Sequence, residues 1–201
     1  FDIIAFDASL MQMIEVAYEV RNNAHYIAGS EESPPGEGYP YDLVFDGFRD
    51  NPDQTTAALS EAFVNGMLEF PPYASREITQ SVIDPTKLPA LVTAVNGLAD
   101  SMIANSAQMT IPTQNARNNA QSYKPTLSRY FRDLWDICRV LQSDSNTPGA
   151  VKTQAAAVQT AVDNAVLHEG HNSNSPNSHG IAIDFSASTF YAAVRTDYQQ
   201  L

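Results

Sequence analysis

Few side chains in this 201-residue sequence have both the type and the setting to do chemistry. Ser9 is the first of them. It follows the apolar run Asp2-Ile3-Ile4-Ala5-Phe6 and the pair Asp7-Ala8, and it precedes a helical pattern from Leu10 to Val20. A serine at a strand-to-helix turn can be an exposed nucleophile, with the backbone amides of the helix start serving as an oxyanion site. It can also be a helix N-cap, and Gln12 three residues later completes a capping box. The Gly-x-Ser-x-Gly frame of a hydrolase elbow is missing. None of the four histidines, His25, His168, His171 and His179, stands at a diagnostic spacing from Ser9. On the residues alone the cap is the simpler reading.

Two further clusters carry ligand-type groups. His168-Glu169-Gly170-His171 with His179 has the donors of a metal site, but the spacing fits no zinc pattern and reads as a solvated loop. Glu31, Glu32 and Glu37 make the loop over residues 31–41 acidic. Such a loop can hold calcium, grip a cationic side chain, or simply be solvated. Nothing in the pattern calls for a cofactor, and calcium is not specifically indicated. The one cysteine, Cys138, lies in the helical stretch from Asp133 to Leu141, where the spacing predicts a buried thiol acting as a small hydrophobe. A lone cysteine excludes an intrachain disulfide framework.

Composition narrows the function classes. A formal net charge of -12 and a pI near 4.5 argue against nucleic acid as a partner, because phosphate binding needs a basic surface. The acidic field favours cationic substrates or peptides, or serves solubility. Hydrophobic residues at 43% with a mean hydropathy of -0.26 describe a soluble globular chain of one domain. No run approaches the roughly 18 apolar residues of a membrane helix, so no membrane partner is expected. No signal peptide opens the sequence. Residue 1 already lies in a strand-like segment, which reads as the start of a piece cut from a longer protein.

Strands are expected over residues 2–6, 25–30, 78–83 and 179–185, and helices over 10–20, 41–48, 54–70, 84–102, 128–142, 151–167 and 188–198. Residues 110–122 read as weakly helical or loop, and residues 168–177 as a polar loop. Pro71-Pro72 stops one helix, and Asp84-Pro85 starts the next as an N-cap with a first-turn proline. Strands alternating with helices point to an α/β sheet covered on both faces.

The run from Phe6 to Glu19 resembles the active-site segment of the clostripain family of cysteine peptidases, where Asp-Ala-Cys-Leu-Met precedes a Glu-Val-Ala-Tyr-Glu helix. The likeness continues through Ser30-Glu31-Glu32 and the segment from Pro35 to Tyr41, similar to that family's Ser-Glu-Glu and Pro-Gly-Asp-Gly-Trp-Pro-Tyr. Ile83-Asp84, Asp133-Leu134-Trp135-Asp136 and His179-Gly180-Ile181-Ala182-Ile183 before Phe185 add later landmarks. The first forty residues are specific and the later ones supportive.

The resemblance implies a caspase-like three-layer α/β/α sandwich, present as the C-terminal portion (residues 1–201) of a single peptidase domain. It implies a cysteine–histidine dyad cleaving after arginine or lysine, in a secreted protein made as a precursor. The partners implied are the N-terminal half or light chain of that precursor, which bears the catalytic histidine, and basic peptide or protein substrates. Ser9 then stands at the nucleophile position, where the family has cysteine. Asp7 matches the aspartate at the base of the S1 pocket. Glu37 replaces the aspartate of the Pro-Gly-Asp-Gly loop, and Gln12 replaces a frequent glycine. A hydroxyl in the nucleophile's place is activated poorly, so the chain is expected to be inactive as a peptidase. The other reading is a natural pseudopeptidase that keeps the scaffold for binding.

Overall fold

Strand β2 (Tyr26–Gly29) sorts the molecule into layers, because its alternate residues enter two different cores. Ile27 and its cross-strand partner Ile83 face one side, and Ala28 with its partner Val82 faces the other. A computed structural model of the chain describes residues 1–123 and 131–187. Its main sheet has the order β1-β2-β3-β6. β1 (Ile3–Ala5) runs parallel to β2. β3 (Thr79–Ile83) is antiparallel to β2, and β6 (Val166–His171) is antiparallel to β3.

On the first face lie α1 (Ile14–Val20), α5 (Leu88–Ala104), α6 (Ser106–Asn119), α7 (Leu134–Ser143) and α8 (Gly149–Ala165). Ile14, Leu88, Leu91, Met109, Ile137, Leu141 and Val158 close the core there with Ile27 and Ile83. The second face is covered by α2 (Tyr41–Val44) and α4 (Thr56–Glu69), with α3 (Asp46–Asp50) outside them. α4 packs across all four strands, through Phe63, Val64 and Met67. This is the three-layer α/β/α arrangement expected from the sequence. A smaller sheet of order β4-β5-β7 joins Ser122–Tyr123, Phe131–Asp133 and Ala182–Asp184. It is tied to the main body where Met13 bridges Ala182. No helix among the described residues is long and apolar enough to cross a membrane.

Local patterns foretold most elements and missed where long-range pairing decided. α8 buries Val151, Ala155, Val158, Val162 and Ala165, one stripe at helical spacing, but stops at Ala165 rather than 167. The next six residues, expected as helix end and polar loop, are strand β6, because the edge of β3 pairs with them. Residues 110–122, expected to be weakly helical or loop, are helix α6 as far as Asn119. Its Pro112 forgoes one backbone bond, offset by burial with Met109 and Ala116 on a single face. Of the helix expected over 128–142, residues 128–130 lie outside the described residues, and α7 begins at Leu134. Residues 131–133 pair instead with β7, and the Asp133 carboxylate caps α7 by accepting from Asp136 N at 2.6 Å. The strand expected over 179–185 is confined to Ala182–Asp184, and the helix expected over 188–198 lies outside the described residues. Cys138 is buried as expected. Burial, and then the Asp133 carboxylate, push its thiol far above the ordinary range.

Leu141 on α7 is fully buried in the first core, whereas Leu167 on edge strand β6 is 50% exposed. Leu141→Ala is expected to cost about 3 kcal/mol in urea unfolding, from lost transfer energy and the cavity left behind. Leu167→Ala should stay within about 0.5 kcal/mol of the parent.

Candidate active site

After β1 the backbone leaves the sheet through one more pairing, Phe6 N to Ala28 O at 2.9 Å, and then Asp7, Ala8 and Ser9 stand exposed. Leu10 turns the chain with φ of 60°, a left-handed conformation that a leucine adopts at a cost of order 1 kcal/mol or more. The surroundings hold it there. Leu10 N donates to Glu32 O at 3.2 Å, and Gln12 N donates to Ser30 O at 3.0 Å. The Leu10 side chain packs against Met13, Tyr123, Phe131 and Ala182.

The capping box does not form. α1 starts at Ile14 with Met13 as its N-cap, so Ser9 lies too far back to reach the helix amides. Residues 10–13 are spent crossing from the sheet to the helix, and the Ser9 hydroxyl is left at the carboxyl end of β1 with no cap to make. Gln12 is no cap partner either. It is fully buried, and its Nε2 donates to Ser81 Oγ at 2.9 Å, Ser81 O at 3.1 Å and Ile27 O at 3.3 Å. Gly29 gives it room, since a Cβ there would lie 2.9 Å from Gln12 Oε1. A glutamine therefore plugs the sheet end under the turn.

Beside the turn stands a carboxylate with a prepared surround. Tyr41 Oη donates to Asp7 Oδ2 at 2.9 Å, and this bond holds the Tyr41 hydroxyl above its usual titration range. Gly38 closes over the same carboxylate. Its φ is +79°, and a Cβ on it would sit 2.6 Å from Asp7 Oδ2, so only glycine fits. The loop is pinned by Tyr39 Oη donating to Phe6 O at 3.2 Å and Tyr73 Oη donating to Gly38 O at 2.7 Å. Gln80 in turn donates to the Tyr39 hydroxyl. Burial, then the Glu37 and Asp7 carboxylates, raise the Tyr73 hydroxyl's pKa, so both acidic fields reach the same phenol. Asp7 and the Glu37 loop are thus brought together. Glu37 itself is 71% exposed and lies 3.8 Å from the Arg76 guanidinium, a partner that no local signal in the sequence indicates.

Glu31 and Glu32 are not a solvated loop, because both are buried. They continue the line of β2 beneath the turn, where the backbone needs partners from either side. Thr79 Oγ1 accepts from the amides of both residues. Glu31 Oε2 accepts from Gly180 N at 3.2 Å, while Asp133 Oδ2 accepts from His179 N at 2.6 Å. Gly180 takes φ of +89° to reach this position. Burial first, and then the neighbouring Asp133 carboxylate, push the Glu31 pKa well above the usual carboxylate range.

The histidines are dispersed. His25 lies 3.5 Å from Asp2, His168 bonds Asn65 at 3.0 Å, and His171 pairs with Glu169. His168 and His171 sit in strand β6 rather than a loop, three residues apart and so on opposite faces. His179 stacks on Trp135 at 4.1 Å with Nδ1 3.3 Å from Asp133. Burial lowers its affinity for a proton, but the Asp133 carboxylate outweighs that and leaves the pKa raised.

Glu31 holds its proton to higher pH in the folded chain than its ordinary value of 4.5, so its contribution to stability falls as pH rises from there. His179, also raised, adds a loss that begins only above 6.5. Glu31→Gln keeps an acceptor for Gly180 N and removes the first loss alone. Thermal unfolding should therefore give a Tm that is flatter with pH between about 4.5 and about 6.5 than the parent's, with the later decline kept. An unchanged slope in that window would refute the assignment.

Comparison with known proteins identifies the family and the fold. A sequence model of the clostripain family matches residues 1–194. Among solved structures, an inactive zymogen C11 protease from Parabacteroides distasonis superposes with a TM-score of 0.73 at 21% identity, covering 100% of this chain and 57% of that one. A clostripain from Bacteroides thetaiotaomicron in complex with a peptide inhibitor gives 0.59 at 18% identity, covering 96% and 82%. A secreted C11 cysteine protease from Bacteroides thetaiotaomicron, also with a peptide inhibitor, gives 0.58 at 20%, covering 95% and 56%. The chain thus spans little more than half the length of the Parabacteroides protein. Comparison with curated protein sequences yields no match. With nearly its whole length matched by the family's sequence model and its fold shared with these proteases, the chain belongs to the clostripain family.

Proposed function

We propose that this chain is the nucleophile-bearing part of a peptidase domain that recognises arginine or lysine, and that it is catalytically silent as it stands. The observation that carries this is the exposed Asp7 carboxylate two residues before the exposed Ser9, under the Gly38 loop. One phenol on Oδ2 orients that carboxylate and leaves lone pairs for an incoming guanidinium or ammonium. Glu37 supplements the field, and a basic side chain entering the pocket competes with Arg76 for it.

The silence has two causes. Peptide cleavage needs a nucleophile that attacks the carbonyl while a base accepts its proton. Ser9 offers a hydroxyl in place of a thiolate, and every described histidine has its partners elsewhere. The base comes from a histidine-bearing segment or light chain of the same precursor. A secreted location agrees with the Bacteroides protease described as secreted. The second reading, a pseudopeptidase that binds basic peptides without cutting them, is favoured by the intact surround of Asp7 next to a replaced nucleophile.

The test pairs the chain with its histidine-bearing segment and compares Ser9 with Ser9→Cys on arginine, lysine, leucine and glutamate peptides. The cysteine form should cleave after arginine and lysine, with the serine form slower by a factor of about 10³ or more. Asp7→Asn in the cysteine form should lower kcat/KM on arginine peptides by about a hundredfold. A silent but folded cysteine form that still binds arginine peptides would support the pseudopeptidase. Equal cleavage by both forms would overturn the proposal.

A further inference from the structure

Of the nine large apolar side chains exposed among the described residues, four fall within residues 41–48: Tyr41, Leu43, Phe45 and Phe48, between 41% and 48% exposed. They do not form a random patch. The Tyr41 and Phe45 rings lie almost parallel, 7° apart, with centroids 6.0 Å from each other. Tyr39 and Phe63 fix them from beneath, edge-on at 5.9 Å and 6.0 Å. The two exposed rings therefore offer faces of one orientation on a rigid base.

This aromatic shelf is continuous with the Asp7 pocket. Tyr41 belongs to both, with its hydroxyl on Asp7 Oδ2 and its ring against Phe45. Its rim is acidic. Asp42, Asp46 and Asp50 alternate with the aromatic residues, and the one cation among them, Arg49, is engaged by Asp46 at 2.7 Å and by Asp50 at 3.0 Å. Asp42 has no ion pair among the described residues. Flat rings bordered by carboxylates suit a guanidinium, which stacks on an aromatic face while its edge bonds an acid. A purely apolar occupant would leave the Asp42 carboxylate beside Tyr41 in sequence without a role.

We propose that the Tyr41–Phe45 shelf receives a second arginine of the same peptide, so that the site selects basic residues in pairs. The proposal rests on the reading of Asp7 as the receptor for the first basic side chain. In an extended peptide the side chains at positions i and i+2 share a face and stand about 7 Å apart. The Tyr41 and Phe45 ring centroids, 6.0 Å apart, have a comparable spacing. An Arg-x-Arg segment thus reaches Asp7 and the shelf together.

The test measures fluorescence anisotropy of labelled peptides carrying Arg-x-Arg, Arg-x-Leu or Arg-x-Ala with the 201-residue chain. Arg-x-Arg should bind about fivefold tighter than Arg-x-Ala, the size of one exposed cation–π contact. Phe45→Leu removes the shelf ring that carries no hydroxyl on Asp7, keeps the apolar area, and should erase that advantage while leaving Arg-x-Ala binding unchanged. Asp7→Asn should weaken all three peptides. Equal binding of Arg-x-Arg and Arg-x-Ala, with Asp7→Asn still harmful, would overturn the shelf and leave the Asp7 pocket standing. Arg-x-Leu binding as tightly as Arg-x-Arg would overturn the arginine assignment in favour of apolar recognition. Indifference to Asp7→Asn would remove the pocket, and the shelf with it.

Discussion

The strap between the turn at residues 7–12 and the extension of β2 is the constraint on which the rest of the site depends. Two backbone bonds, from Leu10 N to Glu32 O and from Gln12 N to Ser30 O, hold a leucine in a left-handed conformation that it would otherwise leave. Without them the chain would relax toward helix from Ser9 onward, and Ser9 would become the N-cap that its sequence suggests. With them, the helix is delayed to Ile14 and Ser9 projects at the sheet edge. The strain is local and the restraint is not, because residues 30–32 are themselves held by Thr79 on the next strand.

The strap in turn rests on buried polar groups that fasten three segments distant in sequence. Gln12 joins the turn to Ser81, Ser81 donates to Gly180 O, and Glu31 accepts from Gly180 N. Asp133 holds His179 N and the start of α7. Groups of this kind cost free energy to bury, and they return it only when each finds its partner in one arrangement. They specify geometry more than they add stability. Gly180 and Gly38, both with positive φ, stand where that geometry leaves no space for a Cβ.

On the outer side of the strap the electrostatics change character. Asp7 is exposed, with one phenol on Oδ2, and its field and that of Glu37 reach the same Tyr73 hydroxyl. The buried acids support the backbone, whereas the exposed ones make a field for cations. Glu31 and Glu37 lie in one short loop of the sequence, and burial separates their roles. The proposed recognition of basic side chains depends on that separation, because a carboxylate already committed to backbone amides has little left for a ligand.

Much of this was legible in the sequence. The alternation of strands and helices, the apolar stripe of α8, the stops at Pro71-Pro72 and Asp84-Pro85, and the buried Cys138 follow from period and propensity, which act over a few residues. The residues from Phe6 to Tyr41 also pointed to the family. Tertiary structure decided what local rules could not. It turned the capping pair Ser9 and Gln12 into an exposed hydroxyl and a buried plug, drew β6 out of an apparent loop, and took Glu31 and Glu32 out of solvent. It also set Arg76 beside Glu37 and joined Tyr41 to Asp7. The physical reason is common to all of these. Sheet pairing and burial of polar groups reward contacts between residues far apart in the chain, and those rewards exceed the propensities that a short window of sequence can express.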